Sequence, residues 1–318
     1  MARTALVALV AASLCGCDGD LVNLGASAPL TGGGNGASAG SSSAGSSGSG
    51  GVAGAVTREW LAPQLLFPQD DGLIVSNPTF AYGESQLVYT EKPSGDDKAA
   101  RIYERRLSGG SWGSRRELEL GSDTSSPAIS ADGLELWFGQ NVEGGLGETD
   151  IWRSRWQSGT WSEPEHLGEP LNSASDDAPR PAAVNGTIMP LSSKRHGQSV
   201  LYQIYLATRP AADAPWQSVS QELLATINSP TFESTDGFLT EDGLTLYFCS
   251  TRNAPQQGDL FVAQRSDLQA PFGLPRALAD LNTLADERDP WLSQDGRKLY
   301  FSSNQGGQYA LYVSAHAP

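Results

Sequence analysis

The sequence predicts an all-β fold: a five-bladed β-propeller with four short strands per blade, the last blade closed by the N-terminal strand. Three observations carry this prediction. A unit of about 52 residues recurs five times between Arg58 and Pro318. Each copy holds four short apolar segments with no helical periodicity between them. The last copy stops one strand short, and a matching segment stands at the front of the domain.

Each unit is anchored on a turn. "AYGESQLVY" at Glu84, "SADGLELWF" at Gly133, "AVNGTIMPL" at Gly186, "TEDGLTLYF" at Gly243 and "SQDGRKLYF" at Gly296 lie 49, 53, 57 and 53 residues apart. Asp-Gly and Asn-Gly favour positive φ and so a tight hairpin. A short segment precedes the turn as the first strand, and an apolar second strand follows it, as in Leu136-Trp137-Phe138 and Leu299-Tyr300-Phe301. After a polar, Gly-rich loop comes a third strand with an aliphatic–aromatic pair: Ile102-Tyr103, Ile151-Trp152, Ile204-Tyr205, Leu260-Phe261 and Leu311-Tyr312. An aromatic with a leucine six or seven residues on marks the fourth strand, at Trp112/Leu118, Trp161/Leu167, Trp216/Leu223 and Phe272/Leu278. The fifth unit has no such pair. Trp60, Pro63 and Leu66 reproduce its spacing at the other end, so residues 60–66 are predicted to complete the last blade and remove an open sheet edge. One position conflicts with the pattern. Pro190 falls where an interior strand of the third blade is expected, and its missing N–H is unfavourable for ladder pairing there, which makes this blade irregular.

"WSEPEHLGEPLNSASDDAP", "DGLTLYFCSTRNAPQQGDLFVAQR" and "DPWLSQDGRKLYFSSNQGG" resemble the WD40-like repeats of TolB-type propellers. The resemblance spans residues 58–318. It implies a propeller of the kind found in bacterial exported lipoproteins and beside peptidoglycan-binding modules, and implies no particular activity. The family's namesake has six blades and an extra α/β domain; neither is visible here.

Ahead of the repeats the chain changes character. "MARTALVALVAASLCGCDGD" has one early positive charge, Arg3, and an apolar run from Ala5 to Leu14 too short to span a bilayer, which fits the core of a secretory signal. Leu14-Cys15-Gly16-Cys17 resembles a bacterial lipobox, which implies lipidation at Cys17 and a place in the cell envelope. Residues 1–17 are therefore expected to be the signal with its lipobox, 18–56 a Gly/Ser/Ala-rich tether, and 57–318 the propeller. A flexible segment of about 30 residues reaches ~30 Å. Once Cys15 leaves with the signal and Cys17 carries lipid, only Cys249 remains, so no internal disulfide is expected. The formal net charge of −15 and the absence of a basic stripe exclude nucleic acid and a polybasic membrane contact.

Candidate functional residues sort by face. In a propeller blade the loop between second and third strands and the blade-to-blade crossover share one face, and the Asp-Gly turns occupy the other. Ten residues before the anchor stands an acid in four units: Asp123, Asp176, Glu233 and Asp286. Asp177, Asp236 and Asp289 lie close by, and Arg180, Arg195 and Arg252 join them on the crossover face. Two readings are open for the acids. They cap crossover turns by accepting backbone N–H groups, or they line a channel mouth that holds a cation, a sugar or a basic peptide. Gly109-Gly110-Ser111-Trp112-Gly113 matches G-x-S-x-G but sits in a hairpin, not a strand-to-helix elbow. His166, His196 and His316 fall at unrelated repeat positions, so no metal site is expected, and no cofactor. Asn141, Glu143, Glu148 and Asp150 offer oxygens for calcium within one loop. Most tryptophans occupy repeat positions; Trp156 and Trp291 are least tied to them.

These features predict a monomeric, membrane-tethered, non-enzymatic propeller that binds a protein or cell-envelope polysaccharide through its crossover face. The alternative is a glycan-active enzyme using carboxylates at the central channel, since glycoside hydrolysis needs two carboxylates at a set separation.

Overall fold

A computed structural model describes residues 59–70, 72–196 and 200–317. The expected signal, lipobox cysteine and tether lie outside the described residues. Among those described, no helix is long and apolar enough to cross a membrane.

The chain forms five antiparallel sheets arranged as a propeller. The inner strands are Leu73–Ala81, Thr124–Ile129, Asp177–Pro179, Ser234–Leu239 and Glu287–Leu292, in blades I to V. The second and third strands follow each by hairpin or loop. In blade V they are Lys298–Ser303 and Ala310–Ala315. The fourth strands are short, and in blades I and II each is split into two pieces that both pair with the third strand.

The ring closes as the spacing predicts. Gln64 and Leu65 pair antiparallel with Val313 and Tyr312, and Trp60 bridges His316. Trp60 is 2 % exposed and packs against Leu278, Leu299 and Phe301. Its N–H and that of Glu59 both donate to Asp280 Oδ2, which ties the closing strand to blade IV as well as blade V.

Second strands carry unbroken apolar runs because both their faces are covered. Leu136, Trp137 and Phe138 are all buried, as are Leu299, Tyr300 and Phe301. One face of such a strand meets the preceding blade and the other the next, so a hydrophobic cluster fills each gap between neighbouring blades. At the turns, Gly133, Gly186, Gly243 and Gly296 take φ of 66–73°, as the Asp-Gly and Asn-Gly pairs predict.

The unfavourable position of Pro190 is accommodated without loss. Ile188–Ser193 runs as one strand, with Pro190 opposite Leu206. In an antiparallel ladder a residue's N–H and C=O face the same neighbour. The Pro190 carbonyl accepts the Arg180 N–H at 3.0 Å, so its missing donor faces the inner strand, which ends at Pro179. The ladder to the third strand loses nothing.

Candidate active site at the channel

Four of the five inner strands break register at one level: between Ser76 and Thr79, Ser125 and Ala128, Thr235 and Phe238, and Arg288 and Trp291. The residue at each break, Asn77, Ser126, Asp236 or Asp289, takes φ of 50–59°. Asn and Asp tolerate this left-handed backbone better than most residues. Blade III has no break. There the strand pairs Pro179 with Leu191, and the next residue, Arg180, supplies the side chain.

Four of these positions, Asn77, Arg180, Asp236 and Asp289, converge. Arg180 Nη2 donates to Asp236 Oδ1 and, at 2.8 Å, to Asp289 Oδ1. Asp289 also accepts Asn77 Nδ2 at 2.6 Å, Asn77 N at 3.1 Å and Ser302 Oγ at 2.8 Å. Ser192 Oγ accepts the Asp236 N–H at 3.0 Å. The side chains of Arg180, Asp236 and Asp289 are 6, 10 and 5 % exposed. Two acceptors sharing one donor nitrogen lie within about 6 Å of each other. Arg180 Nε is buried without a partner among the described residues. Two residues beyond the bulge toward the turn face, half-buried Trp291 and Phe238 meet at a tilt with ring centroids 5.6 Å apart, and the Phe80 ring centroid lies 4.6 Å from that of Trp291.

The crossover acids do something else. Thr149 N donates to Asp176 Oδ1 at 3.2 Å, Tyr202 N to Glu233 Oε1 at 3.2 Å and Gly258 N to Asp286 Oδ1 at 2.7 Å. Each acid thus accepts a backbone N–H at the start of the preceding blade's third strand and locks one blade to the next. Asp176 also takes Lys194 Nζ and the Tyr202 hydroxyl, at 2.8 and 3.1 Å. Asp123 takes φ 54°, and its carbonyl accepts the Asn141 N–H. Asp177 closes its own crossover turn, accepting Ser173 N at 2.6 Å and Arg195 Nη2 at 2.6 Å; burial nevertheless pushes its carboxyl up. Arg195 also donates to the carbonyls of Pro170 and Leu171. Arg252 donates to the Ile227 carbonyl at 2.7 Å and lies over the rings of Phe232 and Phe261. Both arginines are therefore directed to their own crossovers.

Two more crossover carboxyls are displaced upward. Burial, reinforced by Glu287 and Asp289, pushes Asp286 to about 7 against the hydrogen bonds from Tyr309 and Gly258. Asp286 is also gripped by Arg288 Nε and Nη2, each at 2.8 Å. Burial likewise raises Glu233, opposed by the Tyr202 N–H and Lys194.

Of the predicted residues, then, Arg180, Asp236 and Asp289 meet in one cluster. Asn77, which joins them through Asp289, was missed, although all four bulge residues stand seven positions before their anchors and precede Pro or Gly. The loop offered for calcium folds onto itself instead: Asp150 accepts Leu146 N and Gly147 N. Among the described residues, no group of three or more His, Cys, Asp or Glu side chains is placed to hold a metal.

No known protein family and no curated protein matches this sequence. Solved structures do match its fold. A glycoside hydrolase aligns with a TM-score of 0.54 at 12 % identity, over 82 % of this chain and 91 % of its own. An endo-arabinase from Bacteroides thetaiotaomicron VPI-5482 aligns at 0.53 and 13 %, over 77 % and 95 %. The catalytic domain of the Coprinopsis cinerea GH62 alpha-L-arabinofuranosidase aligns at 0.53 and 11 %, over 82 % and 97 %. At such identities the likeness is one of fold: the five-bladed propeller.

Proposed function

We propose that the chain is a carbohydrate-active propeller that hydrolyses a glycan at the crossover end of its channel. The observation that carries this is the carboxylate pair Asp236 and Asp289, both buried and held on one guanidinium. Three residues earlier, just before the same strands begin, stand Glu233 and Asp286, whose burial favours the protonated form. A glycosidase needs this division, one carboxyl protonated to assist the leaving group and one ionised to act on the other side. Asp286 is gripped on both oxygens. Glu233 is held among the described residues through Oε1, which leaves Oε2 to carry a proton. We therefore assign Glu233 as the general acid and Asp289, aided by Asp236 and paired with Arg180, as its partner. The glycoside hydrolases that share the fold support the substrate class.

Arg180 between the two carboxylates favours a second reading, glycan binding without turnover. Release of reducing ends from a panel of arabinans, xylans, galactans and β-glucans decides between them. Hydrolysis is expected, with Glu233→Gln and Asp289→Asn each lowering it about 10²-fold or more. Binding without release of reducing ends selects the second reading. Neither binding nor hydrolysis on any member overturns both.

A further inference from the structure

One position at the crossover end of the second strand shows where the repeat departs from its own pattern. In blades II to V its N–H donates to the carbonyl of the crossover acid: Asn141 to Asp123, Lys194 to Asp176, Thr251 to Glu233 and Asn304 to Asp286. In blades IV and V the side chain completes the exchange. Thr251 Oγ1 accepts the Glu233 N–H at 3.0 Å, and Asn304 Oδ1 accepts that of Asp286 at 2.9 Å. An ammonium group has no acceptor, so Lys194 cannot fill this role in blade III. Where the architecture uses an oxygen, the chain supplies a cation.

That cation is held in place. Lys194 Nζ donates to Asp176 Oδ2 at 2.8 Å and lies 4.4 Å from the centroid of the Tyr202 ring. The Tyr202 hydroxyl donates to the same Asp176 oxygen at 3.1 Å. The side chains of Lys194 and Asp176 are 14 and 4 % exposed, so salt and water screen the charge weakly. Tyr202 also touches Glu233, its N–H donating to Oε1 at 3.2 Å. One residue thus meets the ammonium with its ring and the carboxyl with its backbone. From blade III, Glu233 faces Tyr202 and Lys194, with Asp176 behind them; from its own blade it faces the Thr251 hydroxyl and the Cys249 thiol.

We propose that Lys194 is a positioning residue for Glu233, a fixed positive charge that governs how readily this carboxyl takes up a proton. A nearby cation favours the ionised carboxylate and so works against burial, which favours the protonated one. Asp176 and the Tyr202 ring keep the ammonium from swinging onto Glu233 itself, which would fix that carboxyl in its ionised form. The use of the Glu233 proton in hydrolysis rests on the channel reading; the coupling between the two side chains does not.

The test is an NMR titration of Glu233 in the full chain, with glutamate labelled at its side-chain carboxyl carbon and the resonance identified by its loss in Glu233→Gln. Lys194→Met keeps most of the stem and removes the charge, so it should raise the titration midpoint by about half a pH unit or more. Lys194→Arg restores a cation and should leave the midpoint close to that of the parent. Asp176→Asn removes the charge that opposes the ammonium and should lower the midpoint. The proposal is overturned if Lys194→Met leaves the midpoint unchanged, or if Lys194→Arg raises it as much. Should Lys194→Met fail to fold, an unchanged or raised midpoint in Asp176→Asn overturns it instead. On any polysaccharide that is hydrolysed, the alkaline limb of the rate should move to higher pH in Lys194→Met. A raised midpoint with an unmoved limb, or with no hydrolysis at all, upholds the coupling and removes Glu233 as the acid of the channel reading.

Discussion

Asn172, Asn228 and Asn282 show how much of this ring hangs on single side chains. Each lies on a crossover and clamps the third strand of the blade just completed. Oδ1 accepts the N–H of Ile151, Ile204 or Leu260, and Nδ2 donates to the same residue's carbonyl. The clamp needs an acceptor and a donor on one planar group, which only an amide offers. Asn282→Ala should cost about 1–3 kcal/mol by stranding the Leu260 backbone groups. Asn282→Asp should cost at least as much, since a carboxylate cannot donate to a carbonyl. Urea denaturation of the two variants checks this, and an aspartate variant as stable as the parent would refute the clamp. The recurrence was legible as Leu171-Asn172-Ser173, Ile227-Asn228-Ser229 and Leu281-Asn282-Thr283. Its meaning was not, because the clamped backbone lies 21 to 24 residues upstream.

At the scale of the strand, the closing element makes the sharpest prediction. Deleting residues 57–68 removes Trp60 and the pairing of Gln64 and Leu65 with the last strand. Loss of a buried tryptophan alone costs about 3–5 kcal/mol, and domains hold only about 5–15 kcal/mol in all. The truncated ring should be marginal or aggregate through its exposed edge. Deleting residues 25–50, which are mostly Gly, Ser and Ala, should leave the melting temperature unchanged. Equal melting temperatures for the two deletions would contradict the closure. Blade number, strand identity and closure were all legible because each is written as local spacing. The channel cluster was legible only in part. Blade III lacks the bulge, so Arg180 falls out of phase with the residues it joins, and position counting alone does not bring it to Asp236 and Asp289. The crossover acids were visible as a recurrence, yet their partners belong to the preceding blade.

For the whole molecule, buried carboxyls set the response to pH. Burial pushes Glu91, Asp177, Glu233, Asp286 and Glu287 upward, Asp286 to about 7. Unfolded, these groups would titrate near 4. Between about 4 and 7 the native state therefore holds more protons than the unfolded chain, and stability falls as pH rises. The acids shifted the other way, Glu165, Asp242, Asp267 and Asp295, lie near the surface and act below that window. The melting temperature should be higher at about pH 5 than at about pH 8. The difference should survive about 0.5 M salt, which screens the surface repulsion of a chain with net charge −15 but not buried groups. A melting temperature that climbs from the lower pH to the higher would reverse the sign and refute the assignment.

The pairing of Trp60 with His316 also orders events in time. The first strand of the domain to be synthesised can find its partner only after nearly every other residue has been made. Blades I to IV can assemble from neighbouring segments, whereas the fifth waits for the two ends to meet. Long-range closure of this kind slows folding, and until it happens both the waiting strand and the three-stranded last sheet remain open to other chains. The ring is therefore most vulnerable to misassembly in the interval between synthesis of its last strand and the docking of its first.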